Sequence, residues 1–246
     1  MTASGTLADE LYAGPGLRSF GVSTVVKFGG SLLAHLKAAG RVAKILGDQP
    51  NGGRLLVFPG GGPTDKLIES MARELGFGGS TINPACMRAL DQTGILLAAM
   101  HPRLTAVVTL AEAREVLARG HVPVLLPSQL ILSLDVFTRE DVITSDSLGA
   151  YFAFVVGAER YVVLTDVDGV YDSISGPAEN RRLLETVTAD ELIAMGATSV
   201  DRCLAPFLRT VRLPTWVLNG FAAERLADLL AGQQPLGTRI EAGRTR

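Results

Sequence analysis

Two cysteines, Cys86 and Cys203, are all that 246 residues contain, and neither sits in a CxxC or Cys/His spacing. That excludes a disulfide framework, a zinc site and a paired redox centre, and it fits a reducing, cytoplasmic setting. Histidine is nearly as scarce: His35, His101 and His121 are scattered, read as packed or solvated side chains, and receive no catalytic or metal-binding role. An excess of charge of one sign is also missing. With 23 Lys and Arg against 25 Asp and Glu, the formal net charge is -2, without the basic surplus that nucleic-acid binding demands. The longest apolar runs, Val122 to Leu126 and Tyr151 to Val156, fall far below the roughly 18 residues of a membrane span, so no membrane partner is expected. Residues 1–21 hold the turn signal Gly14-Pro15-Gly16 and no basic start followed by an apolar stretch; they read as a flexible arm, not a signal peptide.

What is present is a hydrophobic content of 47%, enough to bury the core of one domain without a staple. From Thr24 onward, short β-branched runs alternate with helix-period stretches, which is how βα units on a largely parallel sheet read. The strand Thr24 to Phe28 runs into Gly29-Gly30-Ser31, and Leu32, Leu36, Ala39, Ala43 and Leu46 then recur at helical spacing. A second copy follows: Arg54 to Phe58, then Pro59-Gly60-Gly61-Gly62-Pro63, then a helix carrying Leu67, Met71 and Leu75. Strands at Ala106 to Val108 and Val122 to Leu126 bracket a helix that presents Leu110, Ala113 and Leu117 and ends at Gly120. The second half gives a helix from Ser145, a strand Tyr161 to Thr165, a turn Asp166-Val167-Asp168-Gly169, a strand Thr215 to Leu218, and a helix with Ala222, Leu226, Leu229 and Leu230. Trp216, Phe152 and Phe154 fall in these apolar elements and read as core. Residues 22–240 form one two-lobed unit, followed by a tail over 241–246.

Glycine after a strand lets the chain turn tightly and leaves amide N–H groups and the positive end of the next helix facing an anion. At Lys27-Phe28-Gly29-Gly30-Ser31 a lysine stands near the carboxyl end of the strand, where open α/β sheets bind ligands. The spacing matches neither the Walker A loop nor the dinucleotide fingerprint. Taken alone, Gly29-Gly30 serves an ordinary βα turn equally well. Three consecutive glycines at 60–62 carry an entropy cost that a plain connection avoids, so close approach of a ligand explains them better. Asp146, in Thr144-Ser145-Asp146-Ser147, suits a helix cap as well as a phosphate site. Asp168-Gly169 between β-branched residues suits a hairpin.

Read together, in this order, these four segments resemble the amino acid kinase family from Val22 to Ile240. The resemblance implies a three-layer αβα sandwich on a mostly parallel sheet, with an acceptor-binding N-terminal lobe and a nucleotide-binding C-terminal lobe. It implies transfer of the γ-phosphoryl group of ATP, with Mg²⁺, to a small anionic acceptor. Lys27, Gly29, Gly30 and Ser31 would contact the transferable phosphates, and Gly60, Gly61 and Gly62 the acceptor and the group in flight. Asp146 would orient the lysine and phosphates, while Thr165, Asp166, Asp168, Gly169, Val170 and Tyr171 would line the nucleotide pocket. Val217-Leu218-Asn219-Gly220, Arg225 and Gly237-Thr238 resemble the closing segment and support the fold. Many members carry a second lysine after a Gly-Gly-Met segment; here the chain reads Gly196-Ala197-Thr198-Ser199-Val200-Asp201-Arg202, and Arg202 would take that place, with a different shape and hydration. The Thr-Ser-Val-Asp segment, the second glycine turn and Asp91-Gln92-Thr93-Gly94 are most similar to a subgroup acting on an aminomethylfuranyl-methyl phosphate in methanofuran-type cofactor synthesis. Isopentenyl phosphate kinases place a histidine in the second glycine turn, and none stands there. Two alternatives stay open: a nucleotide-binding storage protein resembling molybdenum storage proteins, and a uridylate-kinase-like enzyme, which shares the Thr165 to Tyr171 pattern. Acceptor selectivity is expected from loops near Thr81 to Asp91 and Leu134 to Asp141, and relatives assemble as homo-oligomers.

Overall fold

The computed structural model describes residues 20–134, 144–173, 181–196 and 198–243. The arm expected over 1–21 thus lies outside the described residues except for its last two, as do the selectivity loop past Leu134 and the last three residues of the tail. In chain order the elements are β1 (Thr24–Phe28), a 3-10 turn (Gly30–Ala34), α1 (Leu36–Gly47), β2 (Leu55–Pro59), α2 (Gly62–Leu75), α3 (Gly79–Ala98), β3 (Leu104–Val107), α4 (Leu110–Ala118), β4 (Val122–Leu125) and α5 (Ser128–Leu134). The second half adds α6 (Ser145–Val155), β5 (Arg160–Thr165), β6 (Thr186–Thr188), α7 (Ala189–Met195), α8 (Leu204–Val211), β7 (Thr215–Asn219), α9 (Glu224–Leu230) and β8 (Thr238–Glu241).

The strands form one eight-stranded sheet in the order β3-β4-β2-β1-β5-β7-β8-β6. All pairings are parallel except β7 with β8. β1 and β2 are buried at every position, as strands covered by helices on both faces must be. On one face Val25, Leu56, Phe58, Tyr161 and Val163 pack against α3, α4, α5, α6, α7 and α8; on the other, Val26, Phe28, Val57 and Val162 pack against α1 and α9. This is the αβα sandwich. The chain leaves β1 toward β2 on one side and later returns to β5 on the other, so the direction of winding reverses at β1, the place where open α/β sheets bind their ligands at the carboxyl ends of the strands.

Three local expectations change. The helix expected from Leu32 is split, because His35 (φ -126°, ψ 76°) breaks the run into a 3-10 turn and α1; the restart shifts the phase and turns Leu36 outward. α2 forms, but Leu67, Met71 and Leu75 are 60%, 48% and 58% exposed, since its inward face is built on Ile68 and Ala72 instead. The segment Thr81 to Asp91 is no loop but the body of α3, a 20-residue helix whose Gly79, Asn83 and Pro84 mimic loop composition.

Candidate active site

Lys27 is the penultimate residue of β1, and strand alternation puts its side chain on the α6 face, level with Phe58 and Val163 on the neighbouring strands. Its Nζ lies 2.7 Å from Asp146 Oδ1, with the two side chains 10% and 13% exposed. Asp146 Oδ1 nevertheless accepts no hydrogen bond of good direction, so charge holds this pair. Thr144 caps α6 by accepting from the Asp146 N–H at 3.3 Å. Asp201 fixes the same helix end: its carboxylate accepts from the Thr144 hydroxyl at 2.6 Å, from the Ser147 N–H at 3.0 Å and from the Ser147 hydroxyl. It also accepts from the N–H groups of Cys203 and Leu204 at 2.8 and 2.9 Å, so one side chain ties the starts of α6 and α8 together. Tyr161, fully buried, donates its hydroxyl to the Asp146 carbonyl at 2.9 Å, and burial pushes that hydroxyl well above its ordinary pKa.

The two glycine turns touch. A Cβ on Gly30 would collide with the backbone of Gly62, and one on Gly60 would stand 2.8 Å from Gly30 N and 3.3 Å from Ser145 Oγ. Gly60 N–H donates to the Phe28 carbonyl at 2.8 Å, stitching the second turn to the end of β1. Gly62 adopts φ +70°, a left-handed conformation that glycine enters without strain. The starts of α2 and α6 therefore converge beside Lys27, and two helix N-termini with one ammonium make a strongly anion-attracting corner.

On the far side of β1, Thr165 pairs with Asn219, and Asp168 follows beyond the strand end. Asp168 Oδ1 accepts from Asn219 Nδ2 at 2.9 Å and from Arg225 at 2.6 Å. Those contacts, the asparagine first, hold its carboxyl below the usual range. Thr165 donates to Asp166 at 3.2 Å, and Asp166 is exposed. Thr238 closes off Gly169, leaving no space for a side chain there, and accepts from the Val170 N–H at 2.8 Å. Tyr171 bridges Leu183 in antiparallel fashion beyond the turn, while β5 pairs in parallel with β1 and β7, so Asp168-Gly169 does not form the hairpin that its composition suggests.

The residues expected at the site thus fall into two groups. Lys27, Gly29, Gly30, Gly60, Gly61, Gly62 and Asp146 come together, with Ser31 exposed beside them, while Thr165 to Tyr171 line the adjoining strand ends. Arg202 follows the Asp201 staple; its side chain is exposed over a cavity of about 120 Å³ between α7 and α8, lined also by Gly196, Thr198 and Val200. A larger groove of about 470 Å³ begins at Asp172 and runs along Thr186, Glu191 and Met195. Asp201, Asn219, Arg225 and Asp65 went unnoticed as site-builders. An Asp three residues ahead of a helix, within reach of its first N–H groups, is a signal that marks Asp201, but nothing local in the sequence links Asp168 to Arg225. Among the described residues, no three His, Cys, Asp or Glu converge as a metal cage, and no helix is long and apolar enough to cross a membrane. Phe152 is core, whereas Phe154 and Trp216 are half-buried, Phe154 against Phe207 and Trp216 beneath the Arg239 guanidinium.

Comparison with known proteins points the same way. The model of the "Amino acid kinase family" matches residues 23–219. The chain is similar to [5-(aminomethyl)furan-3-yl]methyl phosphate kinase of Methanocaldococcus jannaschii, 29% identical over 88% of this chain and 96% of that protein. It is similar to uridylate kinase of Haloarcula marismortui, 29% identical over 89% of this chain and 98% of that protein. Among solved structures, uridylate kinase from Archaeoglobus fulgidus superposes with a TM-score of 0.70 at 22% identity, over 89% of this chain and 100% of that one.

Proposed function

Since the chain belongs to the amino acid kinase family, a family of phosphotransferases, we propose that it moves the γ-phosphoryl group of ATP onto a small phosphomonoester. The observation that supports this best is the contact between Gly30 and Gly62 beside the Lys27–Asp146 pair. Phosphoryl transfer asks little covalent chemistry of a protein; it asks for two anions to be held in line and for charge on the equatorial oxygens to be stabilised. Amides of Gly29, Gly30 and Ser31 would hold the donor phosphates, and those of Gly60, Gly61 and Gly62 the acceptor. Lys27, oriented by Asp146, would stabilise the group between them. An acceptor phosphate is already anionic at neutral pH, so no general base is needed.

The strands from β1 to β4 would form the acceptor half. The nucleotide would lie across Asp166 to Tyr171, toward the groove beginning at Asp172, with Arg202 as a second cation. A magnesium ion bound with ATP would offset the repulsion between the phosphates and an anionic acceptor. Among the described residues no carboxylate cage converges, so the residues fit an ion held mostly by phosphates and water. The exposed apolar face of α2, Leu67, Met71 and Leu75 with Phe77, favours a homo-oligomer, which light scattering would register.

Both curated relatives are named kinases, so transfer is preferred to storage; the uridylate kinase likeness keeps UMP in view as acceptor. Incubation with Mg·ATP and a panel of phosphomonoesters, amino acids and nucleoside monophosphates should release ADP only when the right acceptor is present. Hydrolysis that ignores the acceptor, or no ADP with any of them, would sink the reading.

A further inference from the structure

Asp65 lies in the first turn of α2, three residues beyond Gly62, and its Oδ2 is 2.6 Å from where a Cβ would stand on Gly61. Its carboxylate is therefore packed against the backbone that, on the reading above, receives the acceptor. Both nearby ammonium groups are committed elsewhere: Lys27 to Asp146 at 2.7 Å and Lys66 to Glu69 at 3.0 Å. Cys86, buried on α3, stands beside Asp65, and a thiol is only a weak donor for a carboxylate. Thr93, also buried on α3, places Oγ1 3.1 Å from the Cβ position of Gly62 and adds a neutral hydroxyl to the same corner.

A half-buried carboxylate is an odd neighbour for an anion site. Burial raises its pKa and lifts the Cys86 thiol to about 12, and Lys27 and Lys66 act on Asp65 only from a distance, their ion pairs being with Asp146 and Glu69. An acid in the first turn of a helix gains from the macrodipole, but a fully exposed one gains it without the desolvation cost. Beside an acceptor that is only anionic, Asp65 is repulsive; beside one that also carries a cation, it is a partner.

We propose that Asp65 determines acceptor specificity, and that the acceptor is a zwitterionic phosphomonoester whose ammonium pairs with the Asp65 carboxylate while its phosphate rests on the glycine amides near Lys27. This rests on the transfer reading and narrows it. Uridine monophosphate, which has no ammonium, is then a poor acceptor.

The test compares initial rates with Mg·ATP on [5-(aminomethyl)furan-3-yl]methyl phosphate and on its counterpart bearing methyl in place of aminomethyl, using wild type, Asp65→Asn and Asp65→Glu. Wild type should favour the amine-bearing acceptor by about a hundredfold in kcat/KM, the scale of one desolvated charge pair. Asp65→Asn should erase that ratio by lowering the first value and raising the second, and Asp65→Glu should restore part of it. A purely structural Asp65 would depress both acceptors alike. Equal wild-type values, a preference kept in Asp65→Asn, or turnover of UMP alone overturns the proposal and leaves the kinase reading standing. Absence of acceptor-dependent ADP with every compound in the wider panel removes the kinase reading itself. Should Asp65→Asn not fold, the wild-type ratio and Asp65→Glu decide the matter.

Discussion

Between β1 and β2 the carboxyl edge of the sheet is closed by backbone against backbone, Gly30 on Gly62 with no side chain between, whereas between β5 and β7 it is closed by side chains, Asn219 and Arg225 both donating to Asp168. The first side is close-packed and offers fixed amide donors; a loss there has no neighbour to repack into it. The second is half-exposed and redundant, because two donors share one carboxylate oxygen. A site that must hold a transferring group in register wants the first construction, and one that must admit and release a nucleotide tolerates the second.

The comparison breaks most visibly at Lys27. Lys27→Ala should cut acceptor-dependent turnover on the order of a hundredfold or more, the usual loss for one preorganised charge contact. It should also destabilise the fold by about 3 kcal/mol, because Asp146 is left charged and buried without its partner. The double variant Lys27→Ala, Asp146→Asn should regain much of that stability in urea titration and none of the turnover. Near-normal turnover in Lys27→Ala would remove the ammonium from the mechanism and leave the helix N-termini as the whole anion site.

Much of this was legible in the sequence for one reason: glycine and lysine at strand ends are local signals. Lys27, the two glycine turns and Asp146 were each visible within a few residues of a β-branched run, and parallel pairing then carried them to one edge. What stayed hidden depends on long-range partners. Asp201 reaches α6 across 54 positions to Ser147, and Asp168 meets Arg225 across 57, distances at which no periodicity speaks. The reading of α2 was right about the helix and silent about its surroundings: Leu67, Met71 and Leu75 share a face, but hydrophobic periodicity reports a stripe, not what covers it. α3 was missed because Pro84 and its glycines argued for a loop, while contacts with α2, β2 and β4 hold it helical.

The contrast sharpens within glycine itself. Gly30→Ala should cost about 3 kcal/mol or more and abolish turnover, since its methyl meets backbone that cannot move away. Gly40→Ala, inside α1 with nothing within 4 Å of its Cβ position, should instead raise stability by about 0.5–1 kcal/mol. Thermal melting of the two variants separates a glycine kept for contact from one that is not. Similar behaviour of both would mean that the two turns do not touch.

The least effect is expected at the side-chain half. Arg225→Ala should raise the KM for ATP by about tenfold, the scale of one hydrogen bond to a charged group, and leave kcat nearly unchanged, because Asn219 still holds Asp168. Its pH signature follows from the depressed carboxyl of Asp168. A group whose pKa is lower in the folded chain adds stability that is in place above its unfolded pKa and disappears as pH falls through the folded one. The stability difference between wild type and Arg225→Ala should therefore be constant near neutrality and close in acid below about pH 4. With Asp168 36% exposed, solvent screening keeps that difference small. A difference still open at pH 2 would show that Arg225 acts through the packing of its stem rather than its charge. The side-chain half would then depend on Asn219 alone, as unforgiving as the glycine half.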